Sequence, residues 1–359
     1  MNKLLIAVLL LTWGGSVTAK EYRLQSPSGK ITAEINCGDE LDYSVSYDGR
    51  EVLAVSPISM TLGDGTVRGP KAKVSKAVRR SNESVVESPF SQSATMADSY
   101  NLTLQMKGDW SVEFRAYDDG VAYRFASTGK HPYEIKSEQV EFNFPADYTA
   151  SVPYVRTGSD DDMQSQFFNS FENQYTVSPL SGLNPRRLAF LPLSVDAGDV
   201  RVAITETDLD NYPGLYLYNP DGTNSLKGKH APYPTKVVDG GYNNIQSVVT
   251  GTADYIARVD GARTFPWRIL VIGSDKDIAA SNLSYLLAAP SRIADTSWIK
   301  PGKVAWDWWN SCNITGVDFE AGINTPTYKH YIDFASDNGI EYVILDDGWA
   351  AGKGEDLFI

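Results

Sequence analysis

Histidine and cysteine are scarce, with three of one and two of the other in 359 residues. His131, His230 and His330 show no ligand spacing, so they offer no histidine-based metal centre and read as surface or half-buried residues. Cys37 and Cys312 lie far apart and make no disulfide framework; both are expected to be free and buried. Positive charge is also short. Lys and Arg total 32 against 45 Asp and Glu, and the formal charge of −13 excludes nucleic acid, whose phosphates need a basic footprint. No G-x-S-x-G elbow occurs, and "GTNSLKGKH" (222–230) has the wrong spacing for a phosphate-binding loop. After residue 19 no stretch is long and apolar enough for a membrane helix, so no membrane insertion is expected.

The start of the chain is different. A short basic Met1-Asn2-Lys3, an apolar run over residues 4–11 and small residues at Ser16-Val17-Thr18-Ala19 form a secretory signal, with cleavage expected after Ala19. The mature protein is therefore expected in the periplasm or outside the cell.

From Glu21 to about Ala288 the period is two. Ile31, Ala33 and Ile35 alternate with Thr32, Glu34 and Asn36. In "SVEFRAYDDGVAYRF" (111–125), Val112, Phe114 and Ala116 alternate before the turn, and Val121, Tyr123 and Phe125 after it. Asp119-Gly120 marks a hairpin through a turn with positive φ. Helical periodicity is confined to about Asp277 to Leu287. The expectation for residues 20–289 is a large antiparallel β-sandwich.

Near residue 290 the pattern changes. "PSRIADTSWIKPGK" (290–303) is rich in turn formers, and residues 290–302 are read as a linker. "VAWDWW" (304–309) reads as a strand. "TPTYKHYIDFASDNG" (325–339) reads as a helix capped by Thr325, with Pro326 in its first turn and Gly339 after its end. Tyr328, Tyr331, Ile332 and Ala335 share one face of it. "EYVILDD" (341–347) has the continuous apolar run of a buried parallel strand. Residues 303–359 thus begin an α/β unit of strand, helix and strand.

Loops after the C-terminal ends of such strands carry the chemistry of α/β barrels. Asp307, Trp308, Trp309 and Asn310 stand at one end, and Asp346, Asp347 and Trp349 at the other. Carboxylates accept hydrogen bonds from sugar hydroxyls, and an indole packs on the apolar face of a pyranose. One "DDG" alone is an ordinary turn. Two neighbouring strand ends that both carry Asp and Trp favour a sugar pocket built from Asp307, Trp308, Asn310, Asp346, Asp347 and Trp349.

The stretch "KVAWDWWNSCNITGVDFEAGINTPTYKHYIDFASDNGIEYVILDDGW" (303–349) resembles the opening of the catalytic barrel in glycoside hydrolase family 97. It is most similar to the branch with retaining α-galactosidases; the inverting α-glucosidase branch opens its barrel with a different tryptophan-rich motif. "FENQYTVSPLSG" (171–182) and "ITETDLDNYPGLYL" (204–217) resemble that family's N-terminal domain. The resemblance implies a galactose-mutarotase-like sandwich followed by a TIM (β/α)8 barrel, acting on an oligosaccharide or α-galactoside. It also implies a calcium ion, with Glu172 of "FENQY" as the ligand from the sandwich, consistent with calcium's preference for carboxylate oxygen. By analogy with related families, Asp346 and Asp347 would grip the hydroxyls on C4 and C6 rather than cleave the bond.

A TIM barrel needs typically ~250 residues, and far fewer follow the linker. A retaining glycosidase needs two carboxyls ~5–5.5 Å apart, which the resemblance places on later barrel strands. The chain is thus expected to be an N-terminal portion of a larger enzyme, inactive by itself. It is also expected to leave Val304, Val343, Ile344 and Leu345 partly wet. Three alternatives stand beside this reading: an inverting α-glucosidase of the same family, a non-catalytic carbohydrate-binding sandwich module, and a sandwich acting on sugars directly, for which histidine is scarce.

Overall fold

The computed structural model describes residues 20–86, 95–156, 159–168, 171–241, 244, 246–311, 313–346 and 348. The signal segment, Cys312, Asp347, Trp349 and residues 350–359 lie outside the described residues. The chain forms two compact units: Met1–Tyr233 with Thr252–Ala289, and Pro234–Gly251 with Pro290–Ile359.

The first unit contains two large, mainly antiparallel sheets. One begins as a meander of Lys20–Gln25, Ile31–Cys37, Leu41–Tyr47 and Arg50–Leu62, then continues through Tyr133–Asn143, Ser225–His230 and Leu215–Tyr218. The other places Arg201–Thr207, Trp267–Gly273, Gly120–Ser127, Trp110–Tyr117 and Thr95–Met106 side by side. Alternation makes each strand two-faced, and the apolar faces of both sheets join in one core. Ile31, Ala33 and Ile35 meet it from the first sheet, and Val112, Phe114 and Ile204 from the second. Cys37 is buried there as a free thiol; burial pushes its pKa up to about 11, which keeps it protonated and inert.

Trp267–Gly273 is buried along its whole length. Its Leu270 and Ile272 enter the main core, while Trp267, Ile269 and Val271 pack on Leu283, Leu286 and Leu287 in a second cluster. The helical stretch divides here. Asp275–Ala280 is one short helix, closed by a capping box between Ser274 and Asp277, and Leu283–Leu287 is another.

The expected hairpin forms, but its turn differs. Tyr117 pairs with Gly120, so Asp118 and Asp119 are the two loop residues. Neither they nor Gly120 has the positive φ expected of the turn. Gly120 is needed for space instead: a Cβ there would collide with the carbonyl oxygen of Leu270 on the neighbouring strand.

Charge also enters the core. Glu138 is in phase with Val140 and Phe142, His230 with Leu226, Arg268 with Leu270 and Ile272, and Glu206 with Val202 and Ile204. Inward charges must find partners. Arg268 Nε and Nη2 donate to Glu138 Oε1 and Oε2 at 3.0 and 2.6 Å, and Nη1 donates to Glu206 Oε2. The hydroxyl of Tyr212 donates to Glu138 Oε2 at 2.8 Å, and the Leu215 N–H to Glu206 Oε1 at 2.8 Å. His230 Nε2 lies 3.2 Å from Arg268 Nη2. Burial raises both carboxyls, yet Arg268 holds Glu138 below its ordinary pKa, whereas burial prevails for Glu206 and keeps it above. His230 is therefore neither a surface nor a half-buried residue; it closes an ionic network spanning both sheets.

In the second unit, Pro234–Gly240 and Gln246–Thr252 form a two-stranded sheet. Val304–Trp306 pairs in parallel with Tyr342–Ile344, with the helix Thr325–Asp337 between them in sequence. Both strands are shorter than their apolar runs. Asn324, not Thr325, caps the helix: its side-chain oxygen accepts from Thr327 N–H at 3.0 Å. An amide can fold back onto the first turn from that position, and Thr325 is already helical. Tyr328, Tyr331 and Ala335 are buried as one face, but Ile332 is 52% exposed. Val304 and Ile344 are exposed, and Val343 and Leu345 half-buried. Two strands and one helix leave these faces without full cover, as expected of them.

Candidate functional site

The two parallel strands bring their C-terminal ends level, since Trp306 is in register with Ile344. Pairing is fixed below by the Lys303 N–H, which donates to Glu341 Oε2 at 2.8 Å and holds that carboxyl below its usual range. Beyond Trp306 the chain leaves extended geometry. Asp307–Asn310 makes a 3-10 turn that Ser311 ends in the left-handed region.

This turn points its residues in different directions. Asp307 is 1% exposed, and neither carboxylate oxygen has a hydrogen-bond partner among the described residues. Trp308 and Trp309 are exposed, Trp309 at 84%. Asn310 is committed locally: its Oδ1 accepts from the Tyr331 hydroxyl at 2.7 Å, and its Nδ2 donates to the Asn313 carbonyl. Its side chain ties the turn to the helix.

On the second strand, Asp346 is half-buried, and Trp306 Nε1 donates to its Oδ2 at 2.6 Å. Trp306 also lies against Trp309, with ring centroids 6.5 Å apart. The structure sets Asp307, Trp308 and Asn310 on the turn after one strand and Asp346 just past the end of its neighbour; Asp347 and Trp349 lie outside the described residues. Trp306 and Tyr331 are additional members of the group. Register was the signal for Trp306: two parallel strand ends at the same level place it beside the residue two past Ile344.

A buried carboxylate without a donor is costly, and both Asp307 oxygens are closed to solvent and without a donor among the described residues. Trp308 and Trp309 of the same turn present exposed indoles. Glu172 belongs to the other unit, where it is exposed on a loop next to Phe171. No group of three or more His, Cys, Asp or Glu is placed to hold a metal ion among the described residues. Calcium takes six to eight oxygens, and the described residues do not assemble such a set around Glu172.

Comparison with known proteins bears on both units. Residues 24–290 match the family described as Glycosyl-hydrolase 97 N-terminal, and residues 308–358 match Glycoside hydrolase 97. The chain belongs to glycoside hydrolase family 97. It is 56% identical to a retaining alpha-galactosidase of Bacteroides thetaiotaomicron, over 99% of this chain and 54% of that protein. A probable retaining alpha-galactosidase of Streptomyces bingchenggensis is 28% identical over 90% of this chain and 45% of its own length. Among solved structures, a family 97 enzyme of Pseudoalteromonas sp. strain K8 shares the fold at a TM-score of 0.71, with 22% identity over 91% of this chain and 48% of that one. A beta-arabinopyranosidase does so at 0.72, with 22% identity over 94% of this chain and 52% of that one. The chain spans about half the length of the relatives it matches.

Proposed function

We propose that this chain is the sandwich and the opening of the TIM barrel of an exported α-galactosidase that acts with retention of configuration. The parallel strand pair with its intervening helix supplies the first barrel unit in this reading, and residues 290–302 link it to the sandwich of residues 20–289. The observation that carries it is one carboxylate just past each of two level strand ends, Asp307 and Asp346. Asp307 is buried without a donor among the described residues, and Asp346 accepts from Trp306 Nε1. The 56% identity to a retaining α-galactosidase supports the sugar and the stereochemistry.

In this reading Asp307 and Asp346 bind hydroxyls of the galactosyl unit. Trp308 packs on its C–H face, Asn310 holds the turn, and Asp347 and Trp349 complete the pocket. None of these cleaves the glycosidic bond. Retention requires a nucleophile and an acid/base ~5–5.5 Å apart, which these residues do not supply. Glu172 would offer one oxygen to a calcium ion whose other ligands come from elsewhere, and no step is derived through it.

The test is proton NMR of the first sugar released from an aryl α-galactoside by the complete enzyme. Initial α-galactose is expected. Initial β-galactose, or preference for α-glucosides, rejects the reading. The 359-residue chain alone should leave nitrophenyl α-galactoside unhydrolysed; turnover abolished by Asp346→Asn would move the catalytic groups into these residues.

A further inference from the structure

A groove of about 450 Å³ lies at one margin of the sandwich unit, between edge strands of its two sheets. Lys20–Gln25, at the edge of the first sheet, contributes Arg23 and Leu24. Val74–Val86, the outermost described strand of the second sheet, contributes Arg79, Arg80 and Ser81, and its neighbour Thr95–Met106 contributes Tyr100. That volume is in the range of small-ligand sites.

Strand register explains why the groove is open. Arg79 stands opposite Leu102 and Ser81 opposite Tyr100, so all four share the core-facing side of the second sheet. Leu102 and Leu24 are buried and close the core. One step further out, Tyr100 keeps the inward phase yet is 44% exposed. The first sheet has run out at Lys20–Gln25, and nothing among the described residues covers that ring. An aromatic face in an inward position is thus left bare beside the arginines.

The charge of the groove is the second observation. The protein carries a formal charge of −13, with 45 carboxylates against 32 Lys and Arg. No Asp or Glu is among the residues lining this groove, while three arginines are. Among the described residues none of the three joins an ion pair: the Arg124, Arg186, Arg187, Arg201 and Arg268 guanidinia have carboxylate partners, and these do not. Glu34 is the cross-strand neighbour of Arg23, yet no ion pair joins them. Like charges gathered without counter-charges repel, and an oxyanion relieves that repulsion. A guanidinium fork fits the two oxygens of a carboxylate or sulfate, and the phenol ring with the Leu24 side chain suits an apolar C–H face. A simple inorganic anion would use the arginines and leave the ring idle.

We propose that this groove binds an acidic saccharide, a pyranose bearing a carboxylate or a sulfate, with the arginines on the oxyanion and Tyr100 against the ring. The groove would hold the sugar without reacting with it, since neither a nucleophile nor an acid/base pair lines it. The inference does not rest on the proposed hydrolysis, because a protein that cleaved no glycoside could still bind here.

The test is a saturation-transfer NMR titration of the intact protein with three free sugars: galacturonate, galactose 6-sulfate and galactose. At least one of the acidic sugars should bind in the millimolar range, more weakly as sodium chloride is raised from 20 to 500 mM. Arg79→Gln and Arg23→Gln should each weaken that binding about tenfold, the loss of one charge-assisted hydrogen bond. Neither should lower the melting temperature, since these guanidinia make no bond in the fold. Tyr100→Ala should weaken it about fivefold. Any binding of galactose should be the same in wild type and Arg79→Gln. Absence of binding by both acidic sugars, or undiminished binding in both arginine variants, would overturn the proposal. So would galactose losing as much affinity as the acidic sugars in Arg79→Gln. Binding indifferent to Tyr100→Ala and displaced equally well by inorganic sulfate would leave an oxyanion site only, and would overturn the saccharide assignment.

Discussion

His230 should make this protein lose stability in mild acid. Arg268 Nη2 approaches His230 Nε2 at 3.2 Å, and a guanidinium can only donate. Nε2 must therefore accept, which places the ring proton on Nδ1 and keeps the imidazole neutral. Protonation would set an N–H against an N–H and a cation against a cation. Glu138 Oε2, 3.7 Å away, offsets only part of this. Burial is the larger cause, and the pKa falls from 6.5 to about 4. In the unfolded chain the ring titrates near 6.5. Between these values the unfolded state binds the extra proton, so stability falls as pH drops from about 6.5 towards 4 and changes no further below that. A gap of about 2.5 units at 1.36 kcal/mol each is roughly 3 kcal/mol. Glu206, raised from 4.5, contributes with the opposite sign above that pH, and Glu138, lowered from 4.5, with the same sign below it. The informative quantity is thus a difference between proteins. His230→Gln retains an acceptor for Arg268 and cannot titrate. Urea unfolding of both proteins from pH 4 to 7 should show the wild type losing about 3 kcal/mol more than the variant. Parallel stability curves would refute the neutral, accepting imidazole.

Three further outcomes follow from the same geometry. Glu138→Ala leaves Arg268 with Glu206 as its one remaining carboxylate and should cost about 3–5 kcal/mol, read as a fall in the urea midpoint at pH 7. Gly120→Ala sets a methyl against the Leu270 carbonyl, a backbone atom that cannot swing away; a loss of about 1–3 kcal/mol in thermal unfolding is expected, and a neutral result would contradict the packing of this hairpin. Trp306→Phe deletes the donor to Asp346 Oδ2 and should lower kcat/KM of the complete enzyme on α-galactosides about tenfold, about 1.4 kcal/mol, with little change in melting temperature.

The sequence made the sandwich legible because its strands have one wet and one dry face, and alternation reports that directly. Ile31, Ala33 and Ile35 are fully buried at their expected phase. The same rule contained the ionic network, since Glu138 and Arg268 occupy inward phases. Phase alone does not say which inward charge meets which, because Glu138 and Arg268 are 130 residues apart and belong to different sheets. Gly120 shows a second limit. Its neighbour Asp119 invites a reading in terms of positive φ, but the constraint is the backbone of a strand some 150 positions later, which no local pattern records.

The strand-end site was legible for a different reason. In a parallel pair the ends of consecutive strands lie level, so residues just past each apolar run share one rim whatever the intervening helix does. That argument reaches Asp307 and Asp346 without side-chain detail. It stops at orientation: the 3-10 turn buries Asp307, exposes Trp309 and turns Asn310 back onto Tyr331. One rim therefore holds three kinds of residue, an unpaired acceptor, open aromatic faces and an internal brace. Of these, Asp307 is the strongest test of the sugar pocket, because its carboxylate has no hydrogen-bond partner among the described residues. Asp307→Asn should leave the fold intact while weakening α-galactoside binding in the complete enzyme. A variant that instead lost stability and kept its affinity would place Asp307 in the architecture and leave Asp346 alone to recognise the sugar.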